Sequence, residues 1–227
     1  MTDAPTDVLD ELPLSAPAAS PAASPAASLA AEQRDVARSR ILRAARSVLA
    51  ARGLDTTVDD VAGAADVSRR TVFRHFETRD RLLAEAVRDA LRSYGQQLAA
   101  VSDSAASATW LLELLTAAHR MNAHNGRIYW ELAALGSDVE GELAEVAADR
   151  RAARRRFAAR VTTKAWTMRG GSGRPPAWLV DAFAVHLSAF TTQALAGDFG
   201  RTPDEVAKVS ASVLEASLTA ALTAAAG

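Results

Sequence analysis

From Glu32 onward, apolar residues recur every three or four positions, the spacing that lines one side of a helix, while the two-residue alternation of a strand is scarce. Ala37, Ile41, Ala45 and Val48 mark a first helix, with Arg34, Arg38 and Arg46 between them and Gly53 as its stop. Thr57 then offers a hydroxyl cap with Asp60 three residues on, and Val58, Val61, Ala62 and Ala65 give one apolar side to a helix of about two turns. Asp66 and Val67 interrupt that run. Ser68 caps a third short helix carrying Arg69, Arg70, Thr71, Val72, Phe73, Arg74, His75 and Phe76. Two short capped helices around a tight turn predict a helix-turn-helix. Thr78 caps a longer fourth helix through Leu83, Val87, Leu91 and Tyr94, which should run out of a first domain into a second, with Gly95 loosening its end.

After a small, polar stretch at 102–107, the pattern predicts further helices over 109–123, 128–135, 139–168, 177–196 and 203–225, with a Gly- and Pro-rich loop from Gly170 to Pro176. The fold class expected is all-α. Composition agrees: hydrophobic residues make up 49% of the 227, many of them alanine, which favours closely packed helices over a sheet of branched residues. Residues 1–31 fall outside the pattern. Three Pro-Ala-Ala-Ser units from Pro17 to Ser28 offer too little surface to repay ordering, so this segment is expected to be a disordered tail.

Charge changes the picture by its placement. The net charge is -1, yet the tail holds four acids and no Lys or Arg, while Glu32 to Val101 holds thirteen arginines against ten acids. An acidic tail is repelled by phosphate, which leaves a partner-binding or DNA-skimming arm as its lesser reading, while the second segment is net +3. Cysteine is absent, which excludes disulfide and thiolate chemistry and suits a reducing compartment. No run approaches the roughly 20 apolar residues of a membrane span, and no export signal opens the chain. A cytoplasmic, soluble protein is expected.

At 100° per residue Val72 and Phe76 fall on one side of the third helix, and Arg70, Thr71, Arg74 and His75 on the other. A solvated surface helix shows the same split. It seldom concentrates three arginines, a histidine and two hydroxyls in eight residues without an acid, as Ser68 to His75 does.

The run from Thr57 to Phe76, TVDDVAGAADVSRRTVFRHF, followed by ETRDRLL to Leu83, resembles the DNA-binding signature of TetR-family regulators; the likeness covers Ala37 to Val87. Three positions depart from the family's pattern: Asp66 stands where a turn glycine is usual, Phe73 where a hydroxylated aromatic is usual, and Arg79 where lysine is usual. The resemblance implies a helix-turn-helix DNA-binding domain over 32–80 and a helical effector-binding and dimerisation domain over 81–227. It implies that Arg69 and Arg70 read bases from the major groove beside Thr71 and Phe73, and that Thr57, Arg74, His75 and Arg79 contact phosphates around the helix that starts at Ser68. It further implies a homodimer through the last two helices, with Ala184, Ala189, Ala207, Ala211, Ala216 and Ala220 suiting close approach. The dimer would be a repressor on palindromic double-stranded DNA, released by a small molecule.

For that molecule an apolar effector is expected, in a pocket drawing on Trp110, Leu114, Met121, Trp130, Phe157, Val161, Phe183 and His186. The same aromatics also suit a plain helical core. His119, His124 and His186 lack the spacing of a metal site, and no metal or other cofactor is expected. The basic run of Arg150, Arg151, Arg154, Arg155, Arg156 and Arg160 follows Glu142, Glu145 and Asp149 at helical ion-pair spacings, so it reads as a solvated face, with an anion-recognising face or an interface as the alternative. No nucleophile-base pair or phosphate-cradling loop is evident, so the chain is not expected to be an enzyme. The competing readings are a helical metabolite-binding protein or enzyme without specific DNA binding, and an architectural DNA binder or activator.

Overall fold

A computed structural model describes residues 25–125, 127–135 and 140–226. Ten α-helices and one 3-10 turn account for nearly all of them, and no strand occurs among the described residues. The first helix, α1, spans Pro25–Arg52, and the turn Gly53–Asp55 follows it. Helix α1 thus begins at Pro25 rather than at Glu32: alanine and serine tolerate a helix once proline occupies its first position, where no N–H is needed. The rest of the expected tail, 1–24, lies outside the described residues.

From Ala37 on, the chain packs as one compact unit with two hydrophobic clusters. The short helices α2 (Val58–Ala65) and α3 (Arg69–Phe76) and the long α4 (Arg79–Ser102) follow the turn. Ile41, Ala45 and Leu49 of α1 meet Val61, Val72, Phe76, Leu82, Leu83 and Val87 in the first cluster. Full burial of an apolar side chain of this size contributes roughly 1.5–3 kcal/mol, so Val72 and Phe76, with the partly buried Phe73 packed beside them, hold α3 on its neighbours. The cluster continues into Ile128, Tyr129 and Leu132 of α6 (Arg127–Ala134) and Val146 of α7 (Glu142–Met168).

The second cluster gathers Trp110, Leu114 and Leu115 of α5 (Trp110–His124) with Val161 and Trp166 of α7 and Leu179 and Phe183 of α8 (Ala177–His186). It closes on α10 (Pro203–Ala226), whose buried side carries Val206, Ala207, Ser210, Leu214, Leu218 and Ala221. The segment read as one helix over 177–196 is two, α8 and α9 (Ala189–Phe199), bent by 53° at Leu187 and Ser188. Ser188 is the cause: its hydroxyl accepts the Thr191 N–H at 3.1 Å and starts a new helix there.

Helix α10 has the length and mean hydropathy, 1.2, of a membrane span, which the sequence reading did not anticipate. Its apolarity is mostly alanine, and Glu205, Lys208 and Glu215 interrupt it. Of the small residues expected at a dimer interface, Ala189 and Ala207 are buried inside the protomer, whereas Ala216 and Ala220 are exposed on α10 beside Val209 and Val213. Trp178 and Val185, also exposed, lie one heptad apart on α8.

Candidate nucleic-acid interface and the cavity behind it

Local chemistry sets both helices of the motif. The Thr57 hydroxyl accepts the Asp60 N–H at 3.2 Å, while the Asp60 carboxylate accepts the Thr57 N–H at 2.9 Å and the Thr57 hydroxyl at 2.6 Å. These bonds to Thr57, helped by Arg52 at 2.5 Å, hold the Asp60 carboxyl below the usual carboxylate range. Helix α2 ends at Asp66, in the left-handed conformation with φ 50° and ψ 52°, so the following chain reverses and Val67 N–H bonds back to Ala62 at 3.0 Å. Arg40 of α1 secures that corner from outside, donating to the carbonyls of Ala65 at 2.7 Å and Asp66 at 2.5 Å.

Ser68 then caps α3, its hydroxyl accepting the Thr71 N–H at 3.1 Å. With Val72 and Phe76 in the core, the opposite side holds Arg69, Arg70 and Arg74 in solvent, with Thr71, Phe73 and His75 half-buried beside them. Arg69 is already engaged: it donates to Asp59 at 2.8 Å and lies over the Phe73 ring at 5.3 Å. Arg70 and Arg74 make no hydrogen bond or ion pair with other described residues. Helix α3 contains no acid. The result is a cationic ridge on a rigid, capped helix, the shape and charge that fit a major groove.

Residues 41–86 match the family described as bacterial regulatory proteins, tetR family. The N-terminal domain is that of the tetR family. The match covers the helix-turn-helix and parts of the two helices that flank it. Among solved structures, the crystal structure of multidrug binding protein EbrR complexed with imidazole is similar over 77% of this chain and 87% of that one, at 23% identity and a TM-score of 0.38. No curated protein matches the chain.

Within the tetR domain Arg79 does not face solvent freely. Its Nε donates to the Thr56 carbonyl at 2.9 Å, one terminal nitrogen donates to the Leu54 carbonyl, and the other pairs with Asp80 at 3.2 Å. It clasps the 3-10 turn. Glu131 of α6 grips the same turn from the far side, accepting the Leu54 N–H at 2.5 Å and pairing with Arg127, which also reaches Asp55 at 2.8 Å. Sequence reasoning missed both Arg40 and Glu131, because their partners lie 25 and 77 residues away.

Behind the domain, α4, α7 and the bend between α8 and α9 line a half-open cavity of about 670 Å³, with Asn122 of α5 and Tyr129 of α6 at its wall. That size suits a small organic molecule. Of the residues expected in a ligand pocket, Phe157 borders it. Trp110, Leu114, Val161 and Phe183 are instead fully buried in the second cluster, and Met121 packs against it. Trp130 is exposed, edge-on to Phe190 at 4.9 Å, and His186 bonds Ser210 at 3.2 Å. Tyr94 and Tyr129 meet edge to face at 5.3 Å in the cavity wall, and burial pushes the Tyr94 hydroxyl up to about 12 and Tyr129 further, so both stay protonated donors.

His119 is buried nearby, its Nδ1 2.8 Å from the Thr192 hydroxyl and its Nε2 without a hydrogen-bond partner. Burial first, and the neighbouring His186 second, push its pKa down to about 4. Among the described residues no group of three His, Asp or Glu side chains is placed to hold a metal ion.

Proposed function

We propose that the protein is a homodimeric transcriptional repressor that binds a palindromic operator and is released by a small molecule held in the cavity. The single observation that carries the reading is the solvent-facing row of Arg69, Arg70 and Arg74 on a capped helix of a tetR-family domain. Arg70, exposed and unengaged, is the bidentate reader of a guanine, a contact worth roughly 1–3 kcal/mol of discrimination. Arg69 reads beside it once Asp59 releases it, Thr71 and Phe73 contribute apolar and hydroxyl contacts, and Arg74, His75, Ser68 and Thr57 lie where the flanking phosphates pass.

One such helix spans too few bases to define a site, so two copies on half-sites about 34–36 Å apart are required. The exposed apolar stripe of Val209, Val213, Ala216 and Ala220 on α10, with Trp178 and Val185 on α8, supports pairing of these helices into a four-helix interface. Ligand in the cavity acts through α4, which links both clusters and carries α3 at its N-terminal end; it favours release to the extent of its differential affinity for the two states.

The test is a gel shift on the duplex upstream of the protein's own coding region, titrated with salt and random competitor DNA. Specific shift with a steep salt slope is expected. A metabolite-binding protein or enzyme gives no specific shift, and an architectural binder shifts competitor and target alike.

A further inference from the structure

The arginines of α7 read from sequence as a solvated face, yet Arg150 and Arg154 are half-buried and both border the cavity. Six arginines line it against a single acid, Asp149. Three of the six have acidic partners: Arg88 reaches Glu145 at 3.4 Å, Arg92 reaches Asp89 at 3.7 Å, and Arg160 reaches Asp103 at 4.0 Å. Arg150, Arg154 and Arg156 have no carboxylate within 4.0 Å among the described residues, and Asp149 pairs with none of them.

The two half-buried guanidiniums are the informative ones. Arg154 gives one terminal nitrogen to the Ala184 carbonyl, while its Nε is buried with no hydrogen-bond partner. Arg150 makes no hydrogen bond at all within the described protein. They stand four residues apart on one side of α7, a like-charge spacing that disfavours the helix. Burial lowers the pKa of each, and for Arg150 the charge of Arg154 adds to it. Removing a cation from water without a counter-charge is unfavourable. Tyr94, Asn122 and Ser188 add neutral polar groups to the same wall, and Leu91, Leu98, Phe157 and Leu187 complete it with apolar surface.

We infer that the cavity binds an organic anion, a carboxylate or sulfonate on an apolar body, whose acid group is held between Arg150 and Arg154. A guanidinium pair matches the two oxygens of such a group, and the low local dielectric that makes the empty pair costly strengthens the filled one. A wholly apolar occupant, the class expected from sequence, leaves both cations uncompensated. The inference rests on the cavity being the effector site of the regulator proposed above.

Two fluorescent probes with one aromatic framework isolate the charge: anilinonaphthalene sulfonate, an anion, and phenylnaphthylamine, its neutral counterpart. Titrated into the full chain, the sulfonate should bind saturably and more tightly than the amine. Arg150→Gln and Arg154→Gln should each weaken it roughly tenfold or more while leaving the amine unchanged. Arg150→Lys should restore part of the loss. Gly95→Phe, placed where a Cβ meets nothing within 4 Å, should exclude both probes and so locate them. Equal affinity for the two probes, sulfonate binding indifferent to both glutamine variants, or no binding of either overturns the inference. Gel shifts on the same preparations separate it from the regulator reading: specific DNA binding without anion preference sinks only the inference, whereas anion binding through Arg150 and Arg154 without specific DNA binding sinks only the regulator.

Discussion

The carboxylate of Glu131 on α6 occupies the space that a side chain on Gly53 would need, although the two residues are 78 apart in the chain. Gly53 holds φ 61°, a left-handed conformation costly to any residue with a Cβ, and a Cβ there would also displace Glu131 from the Leu54 N–H and from Arg127. Gly53→Ala should therefore lose stability twice, by about 1 kcal/mol of backbone strain and by a comparable or larger amount for the displaced hydrogen bond. In a Glu131→Ala background only the strain should remain. Urea unfolding of the four proteins of that cycle checks it, and equal costs of Gly53→Ala in both backgrounds would refute the contact.

How much of this was legible in the residues divides by range. The motif was, because Thr57 and Asp60, Ser68 and Thr71, and Val72 and Phe76 specify one another within four positions, and capping bonds need no distant partner. The helices over 109–123, 128–135 and 203–225 were placed to within a residue or two for the same reason, their side periodicity being local. The break at Ser188 was not, since the apolar positions on both sides keep a helical spacing and a serine inside a helix carries the same letters as one that caps it. The cavity was least legible. Large aromatics such as Trp110 and Phe183 fill the core, and the arginines beside the cavity gain their meaning from α4 and α8, which no spacing on α7 encodes.

Arg70 and Arg79 divide along burial of their guanidiniums. Arg70 is exposed and makes no hydrogen bond or ion pair with other described residues, so Arg70→Ala should leave stability within the range of a neutral surface change, about ±0.5 kcal/mol, and relax base preference at one operator position. Arg79→Ala strips the Leu54 and Thr56 carbonyls of their donor and should cost about 1–3 kcal/mol of stability before any loss at DNA. Thermal melts paired with binding to an operator mutated base by base tell the two apart. Uniform weakening on every duplex by Arg70→Ala would contradict its role as a reader.

Asp66 occupies a backbone position that glycine holds without strain. Asp66→Gly should raise stability by about 0.5–1 kcal/mol, because the left-handed conformation no longer crowds a Cβ. The ion pair it loses is slight: Arg40 is 3.9 Å from a fully exposed carboxylate, and Arg40 holds the corner through the backbone carbonyls, which glycine retains. Asp66→Val should lose stability at the same site. A lower urea midpoint for the glycine variant would show that the aspartate side chain, and not the backbone, closes the turn.

His119 makes stability depend on acid in a definite direction. Its folded pKa, about 4, lies below the ordinary histidine value near 6.5, so between those limits the unfolded chain binds a proton that the folded chain refuses. The unfolded state therefore gains as pH falls from about 6.5 to 4, and the fold loses up to about 3 kcal/mol across that window; above it the contribution is constant. His119→Asn retains a polar group facing Thr192 but cannot titrate, so its melting temperature should fall less steeply over the same range even if it starts lower. Parallel slopes for the two proteins between pH 6.5 and 4 would mean that His119 accepts its proton in the folded state, with its buried Nε2 opening to water to do so.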